Sequence, residues 1–194
     1  MRKLVCSSLI SALILVCVGC KSELGTAKAY EAQGDWPKAQ ETLQKAIEKK
    51  PEDPRLHNEL GFVYRKRGYY DLAVTEYNKA IKLDPYYIEA FYNRGTLFYT
   101  IGEIDKAKTD FEKVISVDKN FAQAFNNLGL IYQLFIKNFD EALASYKKAI
   151  EIEPMNPVYH ENLSKLYKDM GKFDLAKEEE QRAQMLRARK GGGD

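Results

Sequence analysis

The chain has 194 residues, with 30 Lys and Arg against 28 Asp and Glu, three Cys and two His. All three cysteines, Cys6, Cys17 and Cys20, sit at the N-terminal end, which excludes a disulfide-stapled fold and a Cys-based zinc site in the remainder. The two surplus positive charges correspond to Arg2 and Lys3, so the rest lacks the basic excess that nucleic-acid binding by counterion release requires.

Residues 1–3 make a short cationic start, and residues 4–18 a mostly apolar run. A bilayer core of ~30 Å needs about 20 apolar residues of helix, so this run is short for a span. Its pattern is that of a secretory signal peptide over residues 1–19. Val18-Gly19-Cys20 resembles the second half of a bacterial lipobox. The resemblance implies cleavage before Cys20 and diacylglycerol on its sulfur. Cys17 departs from the family, which carries an aliphatic residue there. Two or three acyl chains anchor a protein stably. Lys21 stands where enterobacterial lipoproteins kept at the inner membrane carry Asp. That resemblance implies a bacterial cell-envelope protein, lipid-anchored at the outer membrane and facing the periplasm.

Beyond the leader the sequence repeats. Ala39, Ala73, Ala107, Ala142 and Ala176 are spaced by 34, 34, 35 and 34. Tyr30, Tyr64, Phe98, Tyr132 and Tyr167 follow the same steps. Gly34, Gly68, Gly102 and Gly171 mark a turn within each unit, and the turn glycine is missing in the stretch 134–138, where the extra residue falls. Pro54 and Pro157 open first helices, where the missing N–H costs nothing, and Pro51, Pro85 and Pro154 follow the second helices of the preceding units, where the chain must turn. A 34-residue period with this W/F-x2-L-G-x2-Y…A-x3-F…A…P pattern resembles the tetratricopeptide repeat. The resemblance implies an all-α fold, a right-handed α-solenoid of about five helix-turn-helix units. The units fall at 20–53, 54–87, 88–121, 122–156 and 157–190, the last with a capping helix, followed by a flexible tail at 191–194.

Motifs for chemistry are lacking. His57 and His160 occupy one repeat position, held by Phe91 and Phe125 in other units, and are expected to be packing residues. There is no phosphate loop, dinucleotide fingerprint or HExxH zinc motif. The expectation is therefore no catalytic residue, no metal, no cofactor and no small-molecule substrate.

In the resembling family, partners lie along a groove lined by fixed positions of the first helix of each unit. Carried over, those positions give Arg55, Asn58, Phe62, Arg65 and Lys66 in the second unit. The third gives Tyr92, Thr96 and Tyr99, the fourth Asn126, Leu130, Gln133 and Leu134, and the fifth Lys165. The apolar members are not needed for the helix pairs themselves and are candidate anchors for a partner. The expected function is a membrane-anchored, non-enzymatic scaffold that binds one or more cell-envelope proteins as a peptide or helix. Pilotins of type IV pili, which assist secretin assembly, and adaptors for peptidoglycan hydrolases share this combination of anchor and repeats.

Overall fold

A computed structural model describes residues 22–191. The leader, Cys20 and residues 192–194 lie outside the described residues. Among the described residues the chain is all-α, with ten α-helices, one π-helical turn and no strand. The helices are α1 (Glu23–Ala32), α2 (Trp36–Lys49), α3 (Pro54–Lys66), α4 (Tyr70–Leu83) and α5 (Ile88–Thr100). They continue as α6 (Ile104–Val117), α7 (Ala122–Ile131), the π turn (Tyr132–Ile136), α8 (Phe139–Ile152), α9 (Pro157–Asp169) and α10 (Phe173–Gly191). The odd-numbered helices open the sequence repeats and the even-numbered ones close them. The chain divides into two compact units, Met1–Glu76 and Tyr77–Asp194.

Side-chain caps set several helix starts. Ser22 accepts from the Gly25 amide, Asp35 from Lys38, Asp53 from Arg55, Asn138 from Glu141 and Asn156 from Val158. Each satisfies an amide that the helix leaves unpaired, which contributes about 1 kcal/mol.

The turn between paired helices explains the period. The carbonyl of each signature aromatic accepts from an amide beyond the turn. Tyr30 accepts from Asp35, Tyr64 from Tyr69, Phe98 from Glu103 and Tyr167 from Lys172. Gly34, Gly68, Gly102 and Gly171 carry φ of 73°, 79°, 84° and 72° in these turns, a left-handed backbone that closes a helix C-terminus. In the fourth unit the Tyr132 carbonyl instead accepts from Asn138, one residue further on. The inserted residue is taken up by the π turn Tyr132–Ile136, and Lys137 holds the left-handed position at φ 60°. The 35-residue step is thus a π bulge at the end of a first helix.

Unit Met1–Glu76 buries Ala27 of α1 against Ala39, Leu43 and Ala46 of α2, with Leu56, Leu60, Val63 and Tyr64 from α3. In unit Tyr77–Asp194 one cluster joins Phe91, Ala107, Phe111, Val114, Ala124, Leu128 and Ile131. A second joins Ala142, Tyr146, Leu163, Leu166, Tyr167 and Ala176. Close approach depends on small residues. A Cβ on Gly129 would stand 2.6 Å from Tyr146 Cε1, and one on Gly95 3.0 Å from Asp110 Cβ. Ser164, at the equivalent place in the last unit, donates its hydroxyl to the Ala176 carbonyl at 2.7 Å.

Candidate functional site

In unit Met1–Glu76 the expected face gathers around Phe62. Trp36 meets its ring edge-on at 6.3 Å between centroids. Arg65 and Lys66 lie over the same ring at 5.2 and 5.4 Å, within cation–π range. Arg55 is exposed and held by Asp53 through two contacts at 2.9 and 2.7 Å. Asn58 is buried, so its side chain does not line the face.

In unit Tyr77–Asp194 the expected residues separate into a supporting layer and an outward layer. Asn126 accepts from Asn162 at 2.8 Å. Gln133 accepts from the Tyr146 hydroxyl at 2.8 Å and donates to Asp169 at 2.8 Å. Both are buried, so these two expected groove residues are corrected to structural ones. A ligand would have to break satisfied buried hydrogen bonds to reach them. Tyr92 packs on Phe111 and Phe121 at 5.8 and 5.0 Å, half inside the core. The hydroxyls of Thr96 and Thr100 turn back to helix carbonyls at 2.8 Å.

The outward layer is apolar. Leu130 is half-buried against the second cluster, and Leu134 is 44% exposed. Phe135 is 51% exposed and stands edge-on to Tyr99 at 5.8 Å, joining the π turn to α5. Burial pushes the Tyr99 hydroxyl up from the ordinary tyrosine range. Ile136 is also exposed, and Lys165 lies exposed on α9. Position-by-position carry-over missed Phe135, because an inserted residue has no counterpart in the other units. The break in spacing at 134–138 was the available signal.

The two histidines are more than packing residues. His57 Nδ1 lies 2.7 Å from Glu76 Oε2, and His160 Nδ1 lies 2.6 Å from Glu179 Oε2. Their Nε2 atoms meet the carbonyls of Pro51 and Pro154 at 2.9 and 3.1 Å. Each ring thus ties the second helix of its unit to the preceding turn. Among the described residues no cluster of His, Cys, Asp or Glu is arranged to hold a metal ion. No helix of the described residues is long and apolar enough to cross a membrane.

Comparison with known proteins places these features. A family profile described as TPR repeat matches residues 27–68, 63–102 and 137–171, and one described as Tetratricopeptide repeat matches 88–121. The photosystem I assembly protein Ycf3 of Prochlorococcus marinus is 33% identical across 29% of this chain. The match spans 40% of that relative, so the chain covers less than half the length of the curated protein it resembles. Among solved structures, PilF of Pseudomonas aeruginosa matches with a TM-score of 0.78 at 22% identity, over 89% of this chain and 76% of that one. MamA of Desulfovibrio magneticus matches with a TM-score of 0.75 at 22% identity, over 89% and 96%. A thermophilic TPR protein of Thermus thermophilus matches at 0.68 and 22%, over 86% and 94%. At these identities the likeness to the solved structures is one of fold.

Proposed function

The chain belongs to the tetratricopeptide repeat family, and from that premise we propose that it is a protein-binding scaffold tethered to a bacterial cell envelope. Proteins of this family bind protein partners, and the reading adds a place, a partner and an anchor. The place is the outward layer of unit Tyr77–Asp194, with Tyr99, Leu130, Leu134 and Phe135 as apolar anchors and Thr96 of α5 and Lys165 of α9 as polar members. The partner is a segment of another cell-envelope protein, presented as a peptide or helix. The scaffold performs no chemistry of its own.

The observation that carries this reading is the Tyr99–Phe135 contact beside exposed Leu134. The π turn presents Leu134, Phe135 and Ile136 in succession, each more than two-fifths exposed. Exposing three consecutive large apolar residues is costly in a protein that buries nothing against them, and grouped apolar exposure marks interaction sites. Photocrosslinking in cells from positions 99 and 134, read by mass spectrometry, tests it. The reading predicts capture of one envelope protein from both positions and not from exposed Asp105. Equal capture from Asp105 contradicts it.

The anchor is lipid on Cys20. The supporting observations are the Val18-Gly19-Cys20 sequence and the cap at Ser22, two residues on, which starts α1 at Glu23. So short a tether holds α1 and Lys28 close to the head groups. The outer membrane, facing the periplasm, is the surface that Lys21 favours. Secretin assembly in the manner of a pilotin and recruitment of peptidoglycan hydrolases are the two roles this combination of tether and repeats would serve. A mass measurement of the N-terminus tests the anchor: the reading predicts diacylglycerol on Cys20, and an unmodified N-terminus beyond it contradicts the proposal.

A further inference from the structure

A cavity of about 280 Å³ opens between α8 and α10, away from the apolar layer described above. Ile150, Pro154, Met185 and Leu186 form its apolar wall. The His160 ring lies against it, with both nitrogens already engaged by Glu179 and Pro154. Arg182 and Arg189 complete the lining.

The two charged side chains that line this cavity, Arg182 and Arg189, are both cationic. Residues 181–189 of α10 include Arg182, Arg187 and Arg189 and no acidic residue. The acidic residues of that helix, Asp174, Glu178, Glu179 and Glu180, all precede them. A helix dipole accounts for cations in a last turn. It does not account for Arg182, which lies two turns further back, nor for an apolar cavity beside it. Arg182 touches Glu179 at 3.4 Å, and its side chain remains 57% exposed. Arg187 is bound to Glu161 at 2.5 Å, whereas Arg189 has no ion pair among the described residues. Met185, 58% exposed at the mouth, has a flexible thioether chain that can repack around an incoming group.

We propose that this cavity is a second binding site, for a peptide segment that inserts one large apolar side chain and places carboxylates on Arg182 and Arg189. Spacing selects the ligand. The two arginines are seven residues apart on one helix, about 10 Å along its axis. A peptide in the polyproline II conformation rises ~3.1 Å per residue with three residues per turn, so acidic residues three apart lie on one side of it, about 9 Å apart, with apolar residues between them. A single-headed amphiphile carries one charge and matches one arginine. Planar guanidinium groups pair with carboxylates through two hydrogen bonds, which fixes the orientation. The site therefore reads an acidic–apolar–apolar–acidic segment, independently of the partner held by the outward layer of α5 and the π turn.

The test uses the purified chain and a fluorescein-labelled peptide containing Glu-Leu-Phe-Asp, followed by anisotropy. Saturable binding is expected, weakened tenfold or more in the Gln-Leu-Phe-Asn peptide. The Arg182→Glu/Arg189→Glu variant should lose it, as should Met185→Trp, which fills the cavity. Circular dichroism and cooperative unfolding should match the parent in both variants. Absent binding, or binding indifferent to these changes, overturns the proposal. A concentration-dependent dimer abolished by Met185→Trp, with no peptide bound, would assign the face to a second copy and overturn it too. In a Trp36→Phe/Met185→Trp chain, quenching by brominated phosphatidylglycerol vesicles would assign the face to a lipid surface, with the same consequence.

Discussion

His57 holds Glu76 at 2.7 Å across a buried contact, Nδ1 to Oε2, while its Nε2 rests on the Pro51 carbonyl. His160 and Glu179 repeat the arrangement, again nineteen residues apart, with Pro154 in the place of Pro51. Both ring nitrogens face acceptors, so the arrangement is satisfied when a proton lies between Nδ1 and the carboxylate. Phe91 and Phe125 hold the same repeat position elsewhere, yet His160→Phe is not a neutral exchange. It leaves the Glu179 carboxylate buried without this partner, and we expect a loss of about 2–4 kcal/mol. Replacing Glu179 by Leu in the same chain should recover part of that loss. Denaturant unfolding of the two single variants and the double variant measures the coupling.

Lys137 takes the left-handed backbone that glycine takes in the other turns. A side chain costs ~1 kcal/mol there. Lys137→Gly is predicted to stabilise the chain by about that amount in denaturant unfolding, because it removes the strain and leaves the π turn unchanged.

Gly129 faces the ring of fully buried Tyr146. A methyl group at 2.6 Å from Cε1 forces the ring or α7 to move. Gly129→Ala should cost about 1–3 kcal/mol through overpacking. Calorimetric melting would show a lowered Tm, and a gain in stability would mean that the ring can give way.

The Glu31 carboxyl is pushed up to about 7 by burial and by the charge of Glu59, with Lys28 opposing. Its Oε1 has no hydrogen-bond partner, whereas Lys28 pairs with Glu59 at 3.0 Å. The folded chain holds the Glu31 proton more tightly than the unfolded chain, whose ordinary value is 4.5. Its contribution to stability is thus full below about 4.5 and is lost as pH rises through about 7. After allowance for its partial exposure, the loss is of the order of 1–2 kcal/mol. Glu31→Gln should flatten that part of the Tm–pH curve and raise Tm above pH 7. An unchanged slope would contradict the assignment.

The helix pairs were legible in the sequence because repeat spacing, turn glycines and helix-opening prolines all point to one register. The close approaches at Gly95 and Gly129 fall on residues 34 apart, at one position of the same repeat. The candidate site was legible only in part. Positional carry-over names Tyr99, Leu130 and Leu134 as candidates, but it cannot see which polar side chains turn inward. Asn126 and Gln133 turn inward because Asn162 and Tyr146 offer buried partners from neighbouring helices. The form taken by the inserted residue was also hidden. It depends on the Tyr132 carbonyl reaching Asn138, a backbone choice that no side-chain pattern records. The histidine pairs were readable and missed: Glu76 and Glu179 recur at the same interval as the histidines they bind.

The central claim is that the apolar layer formed by Tyr99 and the π turn seats a partner segment. Its most direct measurement is the Kd of the crosslinked partner segment for the parent chain and for Phe135→Ala. Phe135 is half-exposed, so its truncation spares the two buried clusters. Phe135→Ala should weaken the Kd at least tenfold, about 1.4 kcal/mol, with melting unchanged. An unchanged Kd in a normally folded Phe135→Ala chain would contradict it.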